Sequence, residues 1–206
     1  MPSHSPLLTQ TSAQTLVPKH LEEMIRATKV LIVDDDLHLR KVVRAMLTAI
    51  GVREIHDVSE GLAGLQAVRT IMPDVVILDW EMPQMSGVEF IRCVRSPDSF
   101  PLPNVPIIVL TGHGERSYVV DAMQSGANEY LLKPVSTKAL FDRLATVLLN
   151  PRVMIRSGNY YGPQPRKGAG TINRIESNLI YGQVTGSAGH EQDAEKPRSR
   201  DDTVLL

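Results

Sequence analysis

The run Val75-Val76-Ile77-Leu78-Asp79-Trp80-Glu81-Met82-Pro83 decides how this chain is read. Its first four side chains are aliphatic with no polar alternation, which suits a central strand of a parallel sheet, covered on both faces. Working outward, similar apolar runs stand at 30–33, 107–110 and 130–132, and a more polar one at 54–58 belongs at an edge. Helical stretches separate them. Leu39, Val42, Val43, Met46, Leu47 and Ile50 form one apolar stripe, stopped by Gly51, and further helices fit 60–71, 87–95, 115–125 and 137–149. Strands alternating with helices predict an α/β fold: a doubly wound, five-stranded parallel sheet with helices on both faces.

The domain so defined spans residues 29–150. Residues 1–28 open with Ser, Thr, Pro and Gln and then place Leu21, Met24 and Ile25 at helical spacing, which predicts a flexible leader ending in a short helix. Beyond Asn150, Gly, Pro, Ser, Asn and Gln dominate, so residues 151–206 are expected to be a disordered tail without a core. Within it, Arg152, Arg156, Arg166, Lys167 and Arg174 have no acidic residue among them and are interleaved with Tyr160 and Tyr161. That strip reads either as a solvated linker or as a linear recognition element that orders on contact with an acidic surface.

Composition excludes several classes. Across 206 residues, 42% hydrophobic and 22% charged residues are ordinary globular usage. The net charge of -1 leaves no global attraction to nucleic acid or an anionic membrane. A single cysteine, Cys93, rules out an intrachain disulfide framework and fits a reducing compartment. No apolar run approaches the roughly 20 residues that cross a bilayer, and no secretory leader opens the chain, so a cytoplasmic protein without membrane insertion is expected.

The chemistry sits at strand ends. Asp34, Asp35 and Asp36 follow the first strand and Asp79 follows the third. In a doubly wound sheet of order 2-1-3-4-5 these strands are neighbours at the switch point where a crevice opens, so the carboxylates converge there. Clustered like charges raise one another's pKa unless something positive compensates. Mg²⁺, with its preference for oxygen ligands, is the natural candidate. Thr111 after the fourth strand and Lys133 after the fifth add a hydroxyl and an ammonium to the same rim. Each piece alone has a plainer explanation; Asp36, for instance, is placed to cap the helix that follows it. Their order and spacing together carry the reading.

Those segments, Val33-Asp34-Asp35-Asp36, Leu78-Asp79-Trp80-Glu81-Met82-Pro83 with Ser86-Gly87, Leu110-Thr111-Gly112 and Tyr130-Leu131-Leu132-Lys133-Pro134, resemble the receiver domain of two-component response regulators over about three fifths of the chain. The strand order is a known property of that family and is carried over with it. The resemblance implies that Asp79 accepts phosphate from a sensor histidine kinase or a histidine phosphotransfer protein. It implies that Asp35, Asp79 and the main-chain carbonyl of Glu81 ligate Mg²⁺, with Asp34 acting mainly through bound water. Thr111 and Lys133 would hold the phosphoryl oxygens, Tyr130 would occupy an aromatic switch position, and the Lys133–Pro134 bond would be cis. Glu81 and His113 would border the path of the attacking water. Such a protein is no enzyme beyond its own phosphorylation and dephosphorylation.

Residues 151–206 show no helix-turn-helix pattern, zinc spacing or catalytic motif, so no direct DNA binding is expected. Output is expected to run through protein contacts to a downstream target, across the surface of helix 115–125, strand 130–132 and helix 137–149. Two rivals are an aspartate-nucleophile phosphohydrolase and a receiver-like scaffold that takes no phosphate. Against the first, position 81 is Glu where family hydrolases carry a second Asp; against the second, each acceptor-site position holds the expected residue.

Overall fold

In the structure, a computed structural model that describes residues 18–114 and 116–165, five parallel strands form one sheet in the order β2-β1-β3-β4-β5. They are β1 (Lys29–Val33), β2 (Glu54–Val58), β3 (Val75–Asp79), β4 (Ile107–Thr111) and β5 (Glu129–Leu132). Val30 pairs with Val75, Val76 with Ile107 and Ile108 with Glu129, so the strand ends lie level along one rim. β3 and β4 are buried at every position, while β2 is partly exposed throughout, as its polar sequence requires of an edge.

Among the described residues six helices cover the two faces: α1 (Lys19–Ala27), α2 (Leu37–Ile50), α3 (Gly61–Ile71), α4 (Gly87–Val94), α5 (Arg116–Ser125) and α6 (Thr137–Leu149). Because successive strand residues point to opposite faces, Val30, Ile32, Ile77, Ile108 and Leu131 enter one core with α1, α2 and α6. The alternate residues meet α3, α4 and α5; Val33 and Phe90, for example, both close on Gly64. Local chemistry ends these helices where the sequence signals. Asp36 caps α2, Gly51 closes it, and Ser86 with Glu89 forms a capping box on α4.

Two expectations change. The short helix before the domain is no appendage: Leu21 and Ile25 of α1 are buried with Leu47, Val52, Leu144 and Val147. Nor is the chain after Asn150 wholly without structure. Met154–Ser157 (β6) and Tyr160–Pro163 (β7) pair as an antiparallel hairpin seated on the turn between α5 and β5. The turn is Gly158-Asn159, with Gly158 at φ +56. Expectations for residues 1–17 and 166–206 lie outside the described residues. Among the described residues no helix is long and apolar enough to cross a membrane.

Candidate functional site

Parallel strands bring their carboxyl ends to one rim, and there the acidic residues meet. Asp79 is the last residue of β3; Asp34 follows β1, held by its own N–H on the Val58 carbonyl at 3.2 Å. Asp34, Asp35 and Asp79 each place a carboxylate oxygen within 4.8 Å of the others. Asp34 and Asp79 are buried, and Asp35 is open to solvent. Asp36 does not join them. Its carboxylate accepts from the backbone N–H groups of His38 at 2.8 Å and Leu39 at 3.3 Å, the plainer of its two readings.

Lys133 enters from the end of β5. Its Nζ lies 2.8 Å from Asp79 Oδ1 and 3.5 Å from Asp34 Oδ2. Burial pushes the Asp79 carboxyl above its ordinary range, with Asp35 adding to the effect and Lys133 and the Glu81 backbone opposing it. Asp34 is raised likewise, first by burial and then by Asp79, against the same ammonium. One lysine shared by two buried carboxylates leaves the group short of positive charge. Three carboxylates, one of them open to water, suit a hard dication rather than a soft metal.

The rest of the rim is set by β4 and β5. Thr111 ends β4 fully buried and its Oγ1 accepts the His113 N–H at 3.0 Å, while its carbonyl receives the Lys133 N–H at 2.7 Å. The Lys133–Pro134 bond is cis. Tyr130 turns its ring inward, 5% exposed, and its hydroxyl donates to the His113 carbonyl. Glu81 Oε1 lies 3.2 Å from His113 Nδ1, so these two side chains bridge the β3 and β4 loops at the mouth of the site.

Two participants were missed in the sequence. Arg40 donates to the Asp34 main-chain oxygen at 2.6 Å and pairs with Asp57, bracing the acidic loop from the first turn of α2. Tyr118 stacks on His113 with ring centroids 4.5 Å apart. Spacing four residues beyond Asp36 marks Arg40 as belonging to the capped turn, though not which way it reaches. Nothing local marks Tyr118.

Comparison with known proteins places this geometry. A family model described as response regulator receiver domain matches residues 30–145. The chain is 30% identical over 116 residues to chemotaxis protein CheY-3 of Vibrio cholerae, covering 56% of this chain and 88% of that protein. It is 31% identical over 121 residues to chemotaxis protein CheY1 of Helicobacter pylori, covering 58% and 96%. Among solved structures, Vibrio cholerae CheY4 superposes with a TM-score of 0.54 at 31% identity, over 59% of this chain and 98% of that one. A response regulator receiver domain protein of Clostridium thermocellum gives 0.54 at 31%, over 59% and 94%. α1 and the β6–β7 hairpin lie outside the matched residues.

Proposed function

The chain belongs to the response regulator receiver domain family, and from that premise we propose that it takes a phosphoryl group on Asp79 from a histidine kinase or histidine phosphotransfer protein and signals through protein contacts. In that reaction a carboxylate oxygen of Asp79 bonds to phosphorus as the P–N bond to the donor imidazole breaks, and the imidazole leaves with the bonding pair. The observation that carries the proposal is the Lys133 ammonium 2.8 Å from the buried Asp79 carboxylate, beside two further carboxylates. Three acids at one point disfavour an incoming anion, so the site needs added positive charge before phosphate can approach. Asp35, Asp79 and the main-chain carbonyl of Glu81 would hold Mg²⁺ there, with Asp34 through water, and the ion would supply charge neutralisation for the transferring phosphoryl group.

The chain's own residues do the positioning. Lys133 transfers its hydrogen bond from Asp79 to a phosphoryl oxygen, and the Thr111 hydroxyl, now held by the His113 N–H, turns to another. Tyr130 and His113 are joined by a hydrogen bond, so movement of the Thr111 loop reaches the β5 surface directly. Acetyl phosphate with Mg²⁺ tests the assignment. The wild-type chain should be labelled, and Asp79→Asn should take no label while keeping its far-ultraviolet spectrum and its melting temperature within a few degrees. Equal labelling of that variant removes Asp79 as acceptor.

A further inference from the structure

The β6–β7 hairpin is bonded to the domain at several points. Arg152 Nη1 donates to the Asn128 carbonyl at 3.0 Å, Tyr161 Oη to Asn104 Oδ1 at 2.6 Å, and Arg156 pairs with Asp98 at 2.8 Å. Gly162 sits so close to the domain that a Cβ there would lie 2.9 Å from Gly126 Cα and 2.5 Å from Tyr160 Oη. Beneath, Arg95 is 5% exposed and donates to the carbonyls of Gly126, Pro103 and Val105 and to Asn128 Oδ1. A cavity of about 50 Å³ beside these contacts is lined by Asn104, Asn128, Glu129, Thr146 and Arg152.

The hairpin's place in the fold decides what it can influence. Asn104 precedes β4 and Asn128 precedes β5, so the seat lies at the amino-terminal ends of the strands whose carboxyl-terminal ends carry Thr111 and Lys133. It cannot cover Asp79. It does grip the chain just after α5 at Gly126 and just before β5 at Asn128, two residues from Tyr130. One side chain spans further: Arg143 of α6 donates to the Tyr130 carbonyl at 3.3 Å and lies 3.7 Å from the buried Glu129 carboxylate. These hairpin contacts occur together with the Lys133–Asp79 and His113–Thr111 hydrogen bonds.

We propose that residues 152–164 form an intramolecular latch that stabilises this resting arrangement of α5 and β5, so that hairpin docking and phosphoryl occupancy of Asp79 oppose one another. The inference rests on the phosphoacceptor role proposed above. A contact made better in one of two arrangements draws the population towards it, and linkage requires the opposition to be reciprocal. The hairpin then does for the resting arrangement what a bound partner would do, with residues supplied by the same chain.

Gly162→Ala and Arg152→Ala test it on the full chain, because both lie outside the family match and away from Asp79. Beryllofluoride with Mg²⁺ is the probe, read by calorimetry, alongside hydrogen exchange at the amides of Ile155 and residue 162, which face one another in the hairpin ladder. Both variants should speed exchange at the hairpin at least tenfold and tighten beryllofluoride binding at least threefold; adding beryllofluoride to the wild type should also speed hairpin exchange. Hairpin release with unchanged or weaker binding overturns the latch, as does a Gly162→Ala hairpin that stays protected. A wild-type chain that binds no beryllofluoride overturns the phosphoacceptor reading itself, whereas binding indifferent to hairpin release overturns the latch alone.

Discussion

At Asp79, burial and an ammonium act in opposite directions, and Lys133 decides how much negative charge the site presents to a cation. Charges about 4 Å apart near a protein surface interact by roughly 4 kcal/mol at the effective dielectric found there. Removing the ammonium should therefore make the acid cluster a better cation site and a worse phosphate site. Lys133→Ala is expected to bind Mg²⁺ several-fold more tightly by calorimetry while losing most acetyl phosphate labelling; weaker Mg²⁺ binding would contradict the charge argument. Burial pushes the Arg95 guanidinium down to about 10, still fully charged at neutral pH, and four acceptors surround it. Arg95→Ala strands those acceptors at about 1–3 kcal/mol for each that water cannot reach, so urea unfolding should show a loss of about 3 kcal/mol or more. The acid cluster was legible because each member follows an apolar run that announces itself. Arg95 was not, because a basic residue ending a helix looks like any solvated charge, and the acceptors that bury it lie up to 33 residues away.

Among the elements, β2 is tied to α2 by charge as well as by the packing of Ile55 on the core that holds Val43 and Leu47. Arg44 donates to the Ile55 carbonyl at 2.8 Å and pairs with Asp57, which Arg40 also approaches at 3.3 Å. These arginines hold the Asp57 carboxyl below the usual carboxylate range. A depressed folded pKa means stability that is present above the unfolded value of about 3.9 and is lost as pH falls through the lowered one. Asp57→Asn should accordingly melt earlier than the wild type at pH 7, by a small margin because the pair is partly solvated, and the gap should close as the buffer is taken well below about 3.9. A gap that persists at low pH would assign the loss to packing instead. Strands β1, β3 and β4 were legible as unbroken aliphatic runs. β6 and β7 were overlooked because four-residue strands in a Gly- and Pro-rich stretch offer little periodicity, although Gly158-Asn159 is a two-residue hairpin signal. α1 was seen as a helix but not as core, since spacing shows an apolar stripe and says nothing of what the stripe meets.

Over the whole molecule, the parallel sheet puts Asp34, Asp79, Thr111 and Lys133 at one rim, while the hairpin is fixed at the other. The strand order was legible through resemblance, whereas the hairpin's seat depends on two loops far apart in sequence, one before β4 and one before β5. This arrangement also orders the molecule's assembly in time. Every ladder of the main sheet joins strands separated by a crossover helix, so each must close a long loop before its first hydrogen bond forms. The β6–β7 ladder closes across two residues and has no such entropy to overcome. Its seat is different, because Asn104, Gly126 and Asn128 come together only once β4 and β5 are in place. The hairpin is thus quick to pair and among the last to settle. In a refolding experiment followed by pulsed hydrogen exchange, the amides of β4 and β5 should gain protection before those of Ile155 and Gly162. Protection appearing first in the hairpin would mean that it acts as a template on which the last two strands collect.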